Sequence, residues 1–81
     1  MNKQNKVIRF DVTSMPPQEI DSFYDHIDGY AFLTDIILDP KTHKMIYIRA
    51  FFNENCNVKQ LIAGFNGVTY TDITGTNLLN Q

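Results

Sequence analysis

Two short apolar stripes with helical spacing constrain the fold of this chain more than any other feature. In each stripe, apolar side chains stand at positions i, i+3, i+4 and i+7, which predicts a helix with one apolar face. The first stripe consists of Ile20, Phe23, Tyr24 and Ile27, and the second of Val58, Leu61, Ile62 and Phe65. Because such a helix must bury its apolar face against another layer, we expect both helices to cover the same side of one sheet.

Four other stretches are typical of strands. In the first, Ile8, Phe10 and Val12 alternate with charged residues, which predicts a half-buried strand. The four stretches are VIRFDV at 7–12, YAFLTDIIL at 30–38, MIYIRAFF at 45–52 and VTYTDIT at 68–74. The segment DPKTHK at 39–44 has the composition of a turn, so the second and third strands should form a hairpin.

The order strand, helix, strand, strand, helix, strand predicts an α+β fold. We expect a βαββαβ ferredoxin-like sandwich, in which a four-stranded antiparallel sheet carries two helices on one face. The first and third strands should be central. With 81 residues the chain should form a single domain over 1–81, with residues 1–6 flexible and 76–81 a tail.

Composition excludes several classes of protein. The net charge of −2 lacks the basic excess of a general nucleic-acid binder. The single cysteine, Cys56, excludes an internal disulfide and favours a reducing compartment. No apolar run reaches the length of a membrane span or a signal peptide. We therefore expect a cytoplasmic protein that does not enter a membrane.

The order of elements, together with the hairpin sequence Asp-Pro-Lys-Thr-His-Lys, resembles an RNA-recognition motif over residues 7–75. In that family, aromatic side chains on the first and third strands stack on bases. Tyr47 stands at one of those positions, whereas Arg9 and Met45 stand where the family has aromatic residues and Lys44 where it has glycine. The resemblance implies the family's topology and a stacking surface reduced to one aromatic ring.

The outer face of the sheet, away from the helices, is one candidate binding surface. Strand alternation places aromatic and basic side chains there. If this face binds single-stranded RNA or DNA, the residues that contact it are Arg9, Tyr47, Arg49 and Tyr70. Stacking on aromatic rings contributes roughly 1–3 kcal/mol per base. Exposed aromatic residues with arginine are equally typical of protein interfaces, for which Tyr47, Arg49 and Phe51 are the expected anchors.

Negative charge is concentrated in one part of the sequence. Between Asp11 and Pro40 there are seven carboxylates and neither lysine nor arginine. Four of them belong to the first helix and are expected on or beside the side opposite its apolar stripe: Glu19, Asp21, Asp25 and Asp28. They form either an ordinary solvated helix face or a surface that docks on a basic groove of a partner.

The sequence offers no catalytic or metal-binding residues. Asp25, His26 and Asp28 cannot all converge on one ion from a single helix, and His43 lies in the predicted turn. Cys56 precedes a helix, where the dipole lowers the pKa of a thiol, but no base is placed beside it by sequence. We predict no metal, no cofactor and no enzymatic activity.

These features favour a small binding module that acts by protein–protein contact. Its size and acidic helix are similar to those of small phage or mobile-element proteins that inhibit or regulate nucleic-acid-handling machinery. The predicted partner-binding residues are Glu19, Asp21, Asp25, Asp28, Tyr47, Arg49 and Phe51. The alternative is a single-stranded RNA- or DNA-binding domain. A homodimer formed through an exposed strand is compatible with both.

Overall fold

The computed structural model describes residues 6–75. Its strands are β1 (Lys6–Asp11), β2 (Leu33–Leu38), β3 (Met45–Phe52) and β4 (Thr69–Asp72), and its helices are α1 (Pro17–Asp28) and α2 (Val58–Leu61). An α+β fold with a four-stranded antiparallel sheet and two helices is thereby confirmed. Lys6, predicted to be flexible, begins β1, while the predictions for residues 1–5 and 76–81 lie outside the described residues.

The strands lie side by side in the order β2-β3-β1-β4, so β1 and β3 are central and β2 and β4 form the edges. A hairpin turn joins β2 to β3. In this turn the Asp39 carboxylate accepts a hydrogen bond from the backbone N–H of Lys41 at 2.7 Å, and His43 adopts a left-handed φ of 60°. Such a turn is typical of aspartate before proline, and it places β2 directly beside β3.

The core lies between the sheet and the two helices. Phe10 of β1, Phe23 of α1 and Phe52 of β3 are completely buried. The ring of Phe10 meets those of Phe23 and Phe52 edge-to-face, with centroids 5.4 and 6.2 Å apart. Burial of each such side chain contributes about 1.5–3 kcal/mol. Val58 of α2 joins the same cluster, so the apolar stripes of both helices face this core.

The second helix is shorter than its apolar stripe predicts. Asn57 caps α2 by accepting a hydrogen bond from the backbone N–H of Gln60 at 3.2 Å, but the helix ends at Leu61 and the chain continues as turns. Glycine inside a helix is less favourable than alanine by about 1 kcal/mol, so Gly64 disfavours continuation of α2. Phe65 still reaches the core, with its ring centroid 4.9 Å from that of Phe23.

Gly67, unlike Gly29, adopts a backbone conformation that requires glycine. Gly29, which caps the C-terminal end of α1, keeps a right-handed helical conformation with φ −69°, and its N–H donates to the Asp25 carbonyl at 3.1 Å. Gly67 has φ 81°, and a Cβ added there would lie 2.4 Å from the Ser14 carbonyl oxygen. Any other residue at this position would displace the β1–α1 connection.

Candidate functional site

Three aspartates form an exposed acidic stripe along α1, which we call the acidic face. Asp21, Asp25 and Asp28 are spaced four and three residues apart, so they lie on one side of the helix, and all three are exposed. Glu19 does not belong to this stripe, because it stands only two residues from Asp21 and is half-buried. It lies in the first turn, where the helix dipole favours a negative charge.

The acidic face is not neutralised by the rest of the described chain. Within residues 6–75 none of its three carboxylates forms an ion pair, and Asp28 accepts a single hydrogen bond, from Thr34 Oγ1 at 3.1 Å. Asp25 and Asp28 lie in the last turn of α1, where the helix dipole opposes negative charge by about 0.3–1 kcal/mol. These two carboxylates therefore bring no dipole stabilisation to the helix that carries them.

An exposed apolar edge adjoins the acidic face. Strand β2 lies at the border of the sheet and presents Leu33, Ile36 and Leu38 with 59%, 38% and 48% of their surface exposed. Thr34 connects this strand to α1, since its hydroxyl donates to Asp28 and lies 2.9 Å from the hydroxyl of Tyr24. We call Leu33–Leu38 the apolar edge. Sequence reasoning identified the strand but not its role, because exposure depends on where the strand lies in the sheet.

On the outer face of the sheet, by contrast, both arginine side chains have partners inside the fold. Asp35, Arg49 and Arg9 stand opposite one another across β2, β3 and β1. The Arg49 guanidinium donates to the Asp35 carboxylate in an ion pair, and only 19% of its side chain is exposed. The Arg9 guanidinium lies over the ring of Tyr47, 4.8 Å from its centroid, which is a cation–π contact.

Two residues assigned to the outer face by strand alternation lie on the helix side instead. Tyr70 stands opposite Phe10, with ring centroids 6.5 Å apart, so it points toward the core side of the sheet. Met45 packs against the core because the register of β2 and β3 shifts between Ile37 and Leu38. The predicted nucleic-acid set of Arg9, Tyr47, Arg49 and Tyr70 is therefore reduced to its first three members on one face.

The seven residues predicted to bind a partner do not form one surface. Tyr47, Arg49 and Phe51 lie on the outer face of the sheet, whereas α1 and its aspartates cover the opposite face. Phe51 is also part of a packed pair, since it stands opposite Val7, which is buried. One flat partner surface cannot contact both groups at once.

Among residues 6–75, the cavity beside α2 contains one histidine and one cysteine but no third potential metal ligand. A cavity of about 490 Å³ is lined by His26 and Cys56. The His26 Nε2–H donates to the Leu61 carbonyl at 2.9 Å, and burial raises the pKa of the Cys56 thiol. The expectation that the helix dipole lowers this pKa was wrong, because α2 is a single turn and desolvation dominates. The described residues contain no cluster of three or more metal-ligating side chains.

A second cavity, of about 580 Å³, lies between the start of α1 and the β2–β3 hairpin. Met15, Ile20 and Met45 line it with apolar surface, and Asp21 stands at its border. It adds apolar surface next to the N-terminal end of the acidic face.

No protein-family model matches the chain, and no match was found among curated proteins or solved structures. In the part of the chain that the structure describes, neither helix is long and apolar enough to cross a bilayer.

Proposed function

We propose that this protein is a small, non-catalytic binding module that acts by protein–protein contact through the acidic face of α1. One observation carries the proposal: Asp21, Asp25 and Asp28 are exposed on one side of the helix, and no cation within residues 6–75 neutralises them. The α-helical rise places the first and last of them about 10 Å apart along the axis.

The partner that fits this surface is basic. A row of uncompensated carboxylates attracts a positively charged groove and accelerates encounter with it. Proteins that handle nucleic acids carry such grooves, because they must neutralise phosphates. We therefore infer an inhibitor or regulator of nucleic-acid-handling machinery, of the kind found among small phage and mobile-element proteins.

The fold assignment behind this proposal is a ferredoxin-like sandwich similar to an RNA-recognition motif. The central position of β1 and β3 and the burial of both helices against one side of the sheet support it. The reducing environment of the cytoplasm fits the single free cysteine, Cys56.

The first experiment is capture of a partner from a nuclease-treated native lysate on the immobilised full-length chain. Asp21→Asn with Asp25→Asn should abolish capture. The matched control is Asp11→Asn with Asp72→Asn, which removes the same charge but keeps an oxygen for the turn hydrogen bonds from Thr13 and Thr74.

Elution with salt completes the test. Surface electrostatic attraction is screened above about 0.1 M ionic strength, so the captured protein should be released as salt rises. Equal capture by both double variants, or retention that does not depend on salt, contradicts the proposal.

The second candidate function is binding of single-stranded RNA or DNA by the outer face. The observation that favours it is the Arg9–Tyr47 pair, which places a guanidinium and an aromatic ring together on the exposed side of β1 and β3. A base that stacks on Tyr47 must displace Arg9 from the ring. Fluorescence anisotropy with oligo(dT) and oligo(U) tests this function, and Tyr47→Ala should abolish binding if it holds.

A further inference from the structure

The two edges of the sheet differ in how they are protected against pairing with another strand. Edge strands are normally blunted by short length or by charged and polar side chains. β4 follows this rule, because it is four residues long, reads TYTD and exposes threonines and an aspartate. β2 does not, because three of its six residues are exposed large apolar side chains.

The one charged residue of β2 does not protect its free edge. Asp35 points to the outer face, where its carboxylate is held by Arg49 of β3. Phe32, immediately before the strand, extends the apolar surface with 65% of its area exposed. Among residues 6–75 no strand pairs with the other side of β2. Leu33 exposes apolar surface on the outer face of this strand, and Ile36 and Leu38 expose it on the helix side. An edge strand with exposed apolar side chains on both faces is typical of an interaction site.

The negative charge around this edge determines which kind of strand can pair with β2. Together, α1 and β2 contain five carboxylates and neither lysine nor arginine. Asp28 is held against β2 by the hydrogen bond from Thr34, so negative charge borders the apolar edge directly. Pairing of β2 with β2 of a second copy would bring two such acidic surfaces together, and their repulsion opposes that dimer. A strand that carries lysine or arginine next to apolar residues is attracted by the acidic surface and also covers the exposed apolar side chains.

We propose that β2 binds an extended segment of the partner as a fifth strand of the sheet, and that this segment alternates basic and apolar residues. Its backbone bonds to the free edge of β2. Leu33 shares the outer face with Asp35, whereas Ile36 and Leu38 share the helix side with Thr34. The apolar side chains of the segment therefore cover Leu33 on the outer face, and its basic side chains extend on the helix side, with their stems over Ile36 and Leu38 and their charges toward Asp28. This inference rests on the proposed function and specifies the part of the partner that is recognised.

The probe is a capped peptide in which lysine and valine alternate over about six residues, the typical length of a strand. Amide hydrogen exchange of the ¹⁵N-labelled full chain should show added protection in β2 and none in β4. The same peptide with an N-methyl group on every interior residue keeps the charge and the side chains but lacks the backbone N–H donors on both edges. It should bind at least about tenfold more weakly, which corresponds to 1.4 kcal/mol.

Two variants locate the site on the protein. Ile36→Lys puts a charge on the apolar edge and should weaken peptide binding at least about tenfold. Thr71→Lys, the same change of charge on β4, should leave binding unchanged. A glutamate–valine peptide of the same length should not bind, because its charges repel the acidic face.

Several outcomes overturn the proposal: equal binding of the N-methylated peptide, unchanged exchange in β2, or a concentration-dependent dimer in which β2 is protected without peptide. These results are separable from failure of the proposed function. If partner capture depends on Asp21 and Asp25 but β2 gains no protection, the function stands and the strand addition fails. If the peptide protects β2 but partner capture does not depend on those aspartates, the strand addition stands and the proposed function fails.

Discussion

The outer face of the sheet and the surface formed by α1 with the apolar edge both carry charged side chains, but they differ in whether those charges have partners within the fold. On the outer face, Arg49 is bound to Asp35 and Arg9 lies over Tyr47, so each charge has a partner within the fold. On the α1–β2 surface, Asp21 and Asp25 have no ion-pair partner within residues 6–75, and Asp21 lines the same cavity as the exposed Leu38.

Under the proposed function, the outer face serves stability and the α1–β2 surface serves binding. Groups that are satisfied inside a fold stabilise it, and a ligand must first separate them. Groups left exposed beside apolar surface gain most from a partner. Four predictions test this division, from the largest expected effect to the smallest.

Arg49→Ala should lower the free energy of unfolding by about 1.5–3 kcal/mol, because it removes a charge-assisted hydrogen bond to Asp35 and the packing of a mostly buried side chain. Asp25→Ala on the acidic face should change it by less than about 1 kcal/mol. Urea denaturation of both variants measures the contrast. Equal losses of unfolding free energy in the two variants would show that the charged groups of the outer face stabilise the fold no more than those of the acidic face.

Arg9 and Tyr47 should be coupled energetically by about 0.5–1 kcal/mol, as expected for a cation–π contact near the surface. Two double-mutant cycles, Arg9→Ala with Tyr47→Ala and Arg9→Ala with Tyr47→Phe, measure the contributions of the ring and of the hydroxyl separately. The coupling energy should appear in the alanine cycle, which removes the ring, and should be near zero in the phenylalanine cycle, which keeps it. Additive effects throughout would leave Tyr47 free to stack on a base.

Asp25→Asn should raise the free energy of unfolding by about 0.3–1 kcal/mol at low salt, because it removes a negative charge from the last turn of α1. Asp21→Asn, which lies closer to the helix N-terminus, is the matched control and should give no increase. Thermal or urea unfolding at low and high salt tests this pair, since screening should abolish the gain. A loss of stability in Asp25→Asn would mean that this carboxylate serves the fold.

Asp11 should make the folding stability of the protein slightly sensitive to acid. Hydrogen bonds from the Thr13 hydroxyl and backbone N–H lower the pKa of Asp11 below its ordinary value of 3.8. A carboxyl with a lowered pKa adds stability above its unfolded value, and this is lost as pH falls through the folded pKa. Stability should therefore fall less below pH 3.8 in Asp11→Asn than in the unchanged chain.

Thr13→Val is the control for that prediction, because it removes the hydroxyl donor but leaves the backbone N–H, which lies 2.9 Å from Asp11 Oδ1. Its acid response should lie between those of Asp11→Asn and the unchanged chain. Identical acid-unfolding curves for all three chains would contradict the link between this turn and stability.

The layout of the fold could be predicted from sequence because its signals are local. The stripe of Phe23 and Ile27 faces the core, and the alternation of Ile8 and Phe10 marks β1 as half-buried. Helical and strand periodicity are read within a few residues, so they survive without knowledge of the partners.

Properties that depend on distant pairing could not be predicted. Whether Tyr70 faces the helices depends on the register of β4 against β1, and the position of Met45 depends on a shift opposite Ile37. A one-residue difference in register moves a side chain to the other face. The exposure of β2 likewise follows from strand order, and the pKa of Cys56 from burial rather than from its position before a helix.

The affinity of the purified captured partner for two double variants tests the division of surfaces most directly. Asp21→Lys with Asp25→Lys should weaken binding at least about tenfold, equivalent to 1.4 kcal/mol, while Arg9→Ala with Tyr47→Ala should leave the affinity unchanged. The opposite pattern, with binding lost from the outer-face variant and kept by the helix variant, would contradict the assignment of the acidic face as the docking surface.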